Sequence, residues 1–251
     1  MTTVTGRRAA ARVIRIRRQA SFEARTMLRN GEQLLVAFIL PAMAMVGLKF
    51  VSVPDLGLRR IDVIVPGVLA LAVVSTAFTS QAIATAFDRR NGVLRLLGTT
   101  PLGRDGLLGG KALATGFVLA FHVLALSILG MALGWRPDLA GLVPGVVTIV
   151  LGAGCFVALA MLVAGRLRAE AVLAVANLLW VVFLGLGLLL PTSTLPSGVA
   201  AVARWLPSGA LGDGLRAALA EGRWPVGPSL ALVVWGAVGA LLATRIFRWS
   251  D

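Results

Sequence analysis

Very few side chains in this sequence could carry out chemistry. The 251 residues include one histidine, His122, one cysteine, Cys155, and eleven aspartates and glutamates scattered along the chain. A metal centre needs several such ligands at defined spacings, as in His-Glu-x-x-His, and acid–base catalysis needs a positioned pair. Neither pattern occurs in the sequence. The residues therefore predict no catalytic site, no metal site and no disulfide framework.

Gly110-Lys111 resembles the end of a phosphate-binding loop. That loop requires a glycine five residues before its final glycine, and a serine or threonine after the lysine. Asp105 and Ala112 stand at those two positions. We therefore predict that the chain binds no nucleotide or other cofactor itself, and that any nucleotide is bound by another polypeptide.

The composition predicts an all-α membrane protein. The chain is 58% hydrophobic and 14% charged, with a mean hydropathy of +0.89, whereas a soluble domain is about 25% charged. Segments of alternating polarity, which a membrane β-barrel needs, are absent from the sequence. The net charge of +13 would favour nucleic acid in a soluble protein, but the basic residues fall mostly between apolar segments. Membrane topology explains them better, so we predict no nucleic-acid partner.

Six apolar segments approach the roughly 20 residues that a helix needs to cross a bilayer. They are residues 33–53, 61–87, 112–134, 142–164, 171–190 and 229–247. We therefore divide the chain into a basic tail with an interfacial helix, residues 1–32, and one six-span transmembrane domain, residues 33–251. Seventeen Lys and Arg residues fall on one side of these spans and seven on the other. The positive-inside rule places the more basic side, with both termini, in the cytoplasm.

Residues 12–30 predict an amphipathic helix lying on the membrane surface. At 100° per residue, one face collects the apolar residues Val13, Ile16, Ala20, Ala24, Met27 and Leu28. The other face collects most of the arginines, and Arg17 and Phe22 break the pattern. The residues expected to work at this surface are Arg15, Ile16, Arg18, Phe22 and Arg25. A disordered basic tail is the alternative, but the apolar stripe argues against it.

Residues 88–111 interrupt the apolar pattern between the second and third predicted spans. Val93, Leu94, Leu96 and Leu97 are spaced for one face of a short helix that Gly98 ends. Thr100-Pro101 then predicts an extended turn before Arg104. Such a helix either caps the bundle or fits a groove on a soluble partner. In the predicted topology this is the largest cytoplasmic loop, so a partner inside the cell would meet the protein here.

Residues 191–228 are too apolar for a solvated loop. Residues 199–206 and 210–219 predict two helices with a bend at Pro207, Ser208 and Gly209. They form a hairpin that re-enters the membrane from the outer side, where protein can bury its irregular backbone. We expect this hairpin to gate the outer end of a path, with roles for Pro196, Leu206, Pro207, Leu215 and Arg216. Two helices lying flat on the outer surface are the alternative.

Three polar side chains within the spans are candidates for the lining of a path: Gln81, His122 and Asn177. A polar side chain in hydrocarbon seeks the interior of the bundle, and His122 could also titrate. Hydrogen bonds that merely join helices are the alternative role for each.

The order of residues in the segment 88–111 resembles the signature of the ABC-2 family of transporter permeases. The matching elements are Asp88-Arg89, Gly92, Leu94 to Leu97, Thr100-Pro101-Leu102, Arg104 and Gly110-Lys111. A second match precedes the last span, at Leu195-Pro196, Leu206-Pro207 and Leu215-Arg216. The chain departs from the family twice, because the family usually has Glu at Asp88 and often has Glu at Arg95. The second departure reverses a charge.

The resemblance implies an export permease with six spans per subunit. Two permease subunits, identical or paralogous, would enclose the path, and two cytoplasmic ATPase subunits would bind ATP and Mg. The surface helix and the loop 88–111 would contact the ATPase through Asp88, Arg89, Arg90, Gly92, Leu94, Leu96, Leu97, Thr100, Pro101 and Arg104.

The composition also bears on the setting and the cargo. The apolar spans favour a lipid, a glycolipid or an amphipathic drug over a small ion. The excess of Arg over Lys and the richness in Ala, Gly and Leu favour a bacterial inner-membrane protein that contacts membrane lipids. A membrane anchor for a cytoplasmic partner is the main alternative function, and an intramembrane enzyme is a weaker one.

Overall fold

The computed structural model describes residues 11–50 and 60–247, which are helical apart from short connections. The helices are α1 (Arg12–Arg29), α2 (Gly31–Leu34), α3 (Leu40–Phe50), α4 (Arg60–Val73), α5 (Gln81–Arg90), α6 (Val93–Gly98), α7 (Gly103–Ala132), α8 (Leu142–Ala164), α9 (Ala169–Phe183), α10 (Ser197–Ala203), α11 (Pro207–Leu219) and α12 (Val226–Ile246). No strand occurs in the described ranges. The all-α prediction is confirmed.

π-helical segments and short 3₁₀ turns lie between or next to these α-helices. π-helical segments at Leu35–Ile39 and Val74–Ser80 join α2 to α3 and α4 to α5 without a break, and a third, Leu184–Leu188, extends α9. Short 3₁₀ turns at Leu139–Gly141 and Thr192–Thr194 precede α8 and α10. A π-bulge inserts a residue into a helix, and it is often found where a helix bends or carries a functional group.

Five helices are long and apolar enough to cross a membrane, so the protein is a multi-pass membrane protein. They are Arg60–Arg90, Gly109–Ala132, Leu139–Ala164, Ala169–Leu188 and Val226–Ile246. At the place of the first predicted span lies a shorter apolar helix, Ala37–Phe50. The last residues of that predicted span, 51–53, lie outside the described ranges, as does the basic tail before residue 11.

The helix Arg60–Arg90 forms the centre of the bundle. Its most apolar 18-residue window is entirely buried, whereas in the other spans only 22 to 33% of the window is buried. Helices α3, α7, α8, α9 and α11 all pack against it. A helix that is apolar all round belongs inside a bundle, and the outer helices keep one face for protein and one for lipid.

The bundle has two ends, which differ in charge. What we call the basic end comprises α1, the α5–α6 turn, residues 99–102, the 165–168 turn and Phe247, which lies beside Gly165. The opposite end comprises the turn after α7, the segment 189–206 and residues 220–225. Six arginines lie on α1 alone, namely Arg12, Arg15, Arg17, Arg18, Arg25 and Arg29.

The predicted ends of the spans agree best with the structure for α8 and worst for α7. Helix α8 covers the predicted residues 142–164, but α7 begins at Gly103, nine residues before the predicted start of the third span at 112. Residues 103–111 are therefore helix rather than loop. Glycine disfavours a helix locally, but α1 approaches α7 at two of its first glycines. The nearest side chain is Ile16 at Gly109 and Gln19 at Gly110.

The predicted stripe on α6 is wrong in part. Gly98 does end the helix, but Leu94 is buried and Leu96 is 68% exposed. The two residues sit at opposite edges of the stripe, and in a helix of one and a half turns only one edge can face the bundle.

The helical pair before the last span is present, with its bend in a different place. Helices α10 and α11 are joined at residues 204–206 and not at 207–209. Proline favours the first position of a helix because its fixed φ suits that position and its missing N–H is not needed there. Pro207 therefore begins α11, which is buried along its length, while most of α10 is exposed.

Candidate functional site

Lys111 joins three helices at the basic end. Its ammonium group lies 2.6 Å from Asp88 Oδ2 on α5 and 3.0 Å from Glu23 Oε2 on α1. The lysine is 5% exposed. A buried ammonium requires counter-charges, and here they come from two different helices. We call Lys111, Asp88 and Glu23 the lysine cluster.

The two arginines after Asp88 hold the next turn of the bundle. Arg89 is 3% exposed and donates to the carbonyl of Leu167, in the turn between α8 and α9. Arg90 forms an ion pair with Glu170 on α9 and stacks over the ring of Phe87. Arg89, although predicted to face a partner, thus faces the interior and fixes α5 to the 165–168 turn.

Helix α1 packs along the first turns of α7. Ile16 lies against Gly106 and Gly109, and Gln19 lies against Gly110, where a Cβ atom would come within 2.7 Å of the Gln19 side chain. Arg15 donates to the carbonyl of Pro101 just before α7. Further along, a small apolar cluster joins the two helices through Ala24, Met27, Ala114 and Val118.

The apolar stripe predicted for α1 therefore faces protein over most of its length. Val13 is an exception, since it is 66% exposed. The outward residues of α1 include Arg18, Phe22 and Arg25, and those of α6 are Arg95 and Leu96. We call these five residues the exposed set of the basic end. Phe22, which broke the predicted stripe, is 68% exposed.

Other residues of the predicted contact lie in the turns on either side of α6. Gly92 lies in the turn between α5 and α6. The Thr100 hydroxyl accepts from the Leu102 N–H, which supports the turn before α7, and Pro101 is exposed. The side chains of Leu97 and Arg104 lie outside the part of the structure that is described.

Two of the three predicted path residues are buried between helices. Gln81 donates to the Thr115 hydroxyl at 2.5 Å, and Thr115 donates in turn to the carbonyl of Lys111 at 2.8 Å. His122 Nδ1 lies 3.1 Å from Thr76 Oγ1, and its ring stacks with Phe38. These contacts join α5 to α7 and the central π segment to α7.

Asn177, the third predicted path residue, lies on the outer face of α9 and is exposed. The structure thus separates it from Gln81 and His122. An amide on the surface of a membrane span is costly unless it meets another polar group.

Arg216 organises the opposite end. Its guanidinium donates to the carbonyls of Leu188 at 2.8 Å and Gly187 at 3.2 Å, and to Asp213 Oδ1 at 2.9 Å. These carbonyls belong to the bent end of α9, where Gly187 has φ +84°, a conformation that glycine alone adopts readily. Arg216 is 6% exposed, and the carboxylate of Asp213 supplies a counter-charge for its buried guanidinium.

Further contacts bind α11 to the same bend. Asp213 accepts from the hydroxyl and the N–H of Thr192, and the Ser208 hydroxyl donates to the carbonyl of Leu186 at 3.0 Å. Leu215 and Pro207 are buried, Leu206 is half-buried and Pro196 is exposed. Of the predicted gate residues, Arg216 thus makes the specific contacts and Leu215 packs in the core.

Several of these residues escaped sequence reasoning. Glu23 and Lys111 form an ion pair that was not predicted. The signal for it in the sequence is that Glu23 is the one acidic residue of α1 and that Lys111 ends the segment 88–111. Nothing in the sequence paired Arg216 with Gly187, which is 29 positions away. Within the described part of the chain, no group of three His, Cys, Asp or Glu side chains is placed to hold a metal ion.

Comparison with known proteins assigns the family. A family profile described as ABC-2 family transporter protein matches residues 60–246, which cover all five long spans. No curated protein matches the chain. The family implies a membrane transport subunit that associates with an ABC ATPase and is not itself the ATPase. The chain therefore belongs to the ABC-2 family of transporter proteins.

Proposed function

We propose that this chain is the permease subunit of an ATP-driven exporter in a bacterial inner membrane. Two ATPase subunits bind ATP and Mg on the cytoplasmic side and drive a hydrophobic or amphipathic substrate, such as a drug, lipid or glycolipid, outward. A second permease subunit, identical or paralogous, completes the path. The lysine cluster is the observation that carries the proposal, because it connects the surface that would meet an ATPase to the spans.

The basic end is the cytoplasmic end in this proposal. It carries α1 with its six arginines, together with Arg89, Arg90, Arg95, Arg166 and Arg168. Cytoplasmic loops of membrane proteins carry the excess of Lys and Arg. The helix Ala37–Phe50 then belongs to the first of six spans.

The exposed set of the basic end is the docking surface for the ATPase. Leu96 and Phe22 are each 68% exposed, and apolar side chains exposed among polar ones are typical of protein interaction surfaces. The arginines beside them favour an acidic groove on the partner. Arg95 stands where relatives of this family often have Glu, so this partner would carry the complementary charge.

Motion of the ATPase would enter the bundle through two contacts. Movement of α1 acts on Lys111 through Glu23, and movement of α6 acts on Asp88 and Arg89 at the end of α5. Both lead into the central helix Arg60–Arg90 and into α7. This is coupling through packed helices and ion pairs, which requires two arrangements of the bundle.

The helices α10 and α11 form the re-entrant gate. Helix α11 is buried among α4, α8 and α12, while the segment before it returns to the surface. Non-helical backbone is tolerated at membrane depth only where protein covers it, and Arg216 covers the carbonyls at the bend of α9. Opening of the gate would have to release or carry this arginine.

The outer face of α9 is the contact with the second permease subunit. Asn177 is exposed there beside Leu178 and Val181, which are 63% and 58% exposed. A polar group in a span is stabilised by hydrogen bonds across a helix interface. Pairing of two α9 faces would satisfy the amide and enclose a mostly apolar path.

Co-purification tests this function. The protein is extracted from its native membrane in mild detergent, its partners are identified by mass spectrometry, and the eluate is assayed for ATPase activity. We expect an ABC ATPase in the eluate and loss of export when that ATPase is made inactive. A function that survives with an inactive ATPase would instead identify a membrane anchor.

A further inference from the structure

A groove of about 500 Å³ runs between α7 and α8 on the outer surface of the bundle. Its walls are apolar and include Leu119, Val123, Leu142, Val146 and Ile149. The volume falls within the roughly 300–1,000 Å³ range of small-molecule sites in proteins. Rim residues such as Leu124 and Val150, each 62% exposed, face the surface that the surrounding lipid would cover.

Small residues create this groove. Gly116 on α7 lines it, and a Cβ atom at that position would meet nothing within 4 Å. Ala120 on α7 and Ala153 on α8 also line it, so both walls lack bulk at the same level. Two helices packed directly against each other would fill this space, so the groove leaves room for an occupant that is not part of the described chain.

One end of the groove holds a hydrogen-bond donor that has no acceptor. Trp135 lines the groove and is 4% exposed, and within the described residues its indole Nε1 finds no partner. A buried indole N–H is normally paired, and leaving it unpaired in hydrocarbon is costly.

The position of Trp135 is fixed by the turn that ends α7. Gly134 has φ +96°, and the Trp135 N–H donates to the carbonyl of Gly130 at 2.9 Å, as in the common glycine-ended helix terminus. The indole ring is thereby turned back over Gly130. The next residue, Arg136, is exposed at the same end.

We propose that the groove binds one membrane phospholipid. An acyl chain lies along the apolar walls, an ester or phosphate oxygen accepts from Trp135 Nε1, and Arg136 attracts the phosphate. The order of these features from the middle of the span outward matches the order of chain, ester and phosphate in a lipid.

Native mass spectrometry of the protein released from nanodiscs of phosphatidylglycerol and phosphatidylethanolamine tests the proposal. We expect one phospholipid to remain on each wild-type protomer. Trp135→Phe keeps the ring but removes the donor, and should lower retention about fivefold. Gly116→Leu fills the groove and should lower it at least as much.

Matched variants provide the controls. Gly154 also has open space around it and is exposed on α8, but it does not line the groove, so Gly154→Leu should keep the lipid. Trp224→Phe changes an exposed tryptophan of the opposite end and should also keep it. Circular dichroism of each variant shows that the helices are retained.

Equal lipid retention in Gly116→Leu and Gly154→Leu would overturn the proposal. So would a change of oligomeric state in Gly116→Leu with the lipid count unchanged, because the groove would then be a contact between copies of the chain. A variant-free check uses phosphatidylglycerol brominated on its acyl chains. As the fraction of brominated lipid is increased, part of the wild-type tryptophan fluorescence should be quenched at a low fraction, and this part should saturate. Quenching that rises only linearly with the fraction of brominated lipid would contradict the site.

Discussion

Lys111 and Arg216 are both buried cations, one at each end of the bundle, but they hold different kinds of partner. Lys111 is bound by carboxylates from α1 and α5, which are far apart in the chain. Arg216 is bound by two backbone carbonyls at the bend of α9 and by Asp213, three residues away on its own helix. The compact ammonium suits a junction of charges, and the planar guanidinium suits fixed carbonyls.

The difference separates the mechanical roles of the two ends. Side-chain ion pairs between helices can lengthen or exchange partners when the helices shift, so the basic end can adjust to a movement of its helices. Backbone carbonyls at a bend cannot exchange in this way without unfolding the bend. We therefore expect the opposite end to be the stiffer of the two, and its arginine to matter most for stability.

Replacing Arg216 should have the largest effect. Arg216→Met leaves the carbonyls of Gly187 and Leu188 and the carboxylate of Asp213 without their donor, which should lower the free energy of unfolding by about 3–5 kcal/mol. Thermal unfolding in detergent measures the loss. Arg204→Met, at an exposed position of the same end, is the control and should change little. Equal unfolding temperatures for the two variants would contradict the role of Arg216.

Replacing Lys111 should cost less, because both of its partners are side chains with some access to solvent, whereas Arg216 also bonds two buried carbonyls. The Asp88 side chain is 31% exposed and that of Glu23 is 14% exposed. Lys111→Met leaves two carboxylates facing each other, which should lower the free energy of unfolding by about 2–3 kcal/mol. Adding Glu23→Gln and Asp88→Asn removes both charges and should restore part of the loss. A triple variant less stable than Lys111→Met would show that the cluster is not held by charge.

The packing around the bend of α9 provides a smaller, steric test. A Cβ atom at Gly67 would lie 2.3 Å from the carbonyl oxygen of Leu189, so Gly67→Ala should destabilise by about 1–3 kcal/mol. Gly47→Ala introduces the same methyl group where nothing lies within 4 Å. The unfolding temperature should fall only in the first variant, and similar values in both would mean that the bend is loosely packed.

The smallest effect concerns the hydrogen bond between Gln81 and Thr115, just inside the lysine cluster. Interhelical hydrogen bonds in membranes contribute about 0.6 kcal/mol on average and at most about 1.7. A double-mutant cycle with Gln81→Met and Thr115→Val should give a coupling energy in that range. Additive effects of the two substitutions would indicate that these side chains do not bond, and would remove one link between α5 and α7.

Five of the six predicted spans are present as long apolar helices, because hydropathy decides where such helices lie. Helix α8 has the predicted boundaries, and the helix Arg60–Arg90 is close to them. The start of α7 could not be predicted, since Gly106, Gly109 and Gly110 disfavour a helix locally. The approach of α1 to Gly109 and Gly110 cannot be seen in the sequence. The contact between two distant elements overrides local preference there.

The candidate site was predicted only in part. Asp88 was expected in it, but its partner Lys111 and the second carboxylate, Glu23, were not, and the directions of the side chains could not be predicted. Asp88 and Arg89 were expected to face a partner, yet one accepts from Lys111 and the other donates to the carbonyl of Leu167. Sequence spacing states which residues share a face of a helix, but not which face the rest of the protein covers. Leu94 and Leu96 show the same limit, since one is buried and the other is exposed.

The most direct test of the account places one substitution at each end. Leu96 on α6 is 68% exposed and Leu139 at the opposite end is 79% exposed, so an aspartate at either position should leave the fold intact. We expect Leu96→Asp to abolish co-purification of the ATPase and Leu139→Asp to preserve it. Equal recovery of the ATPase with both variants would contradict the proposal that the exposed set of the basic end is the docking surface.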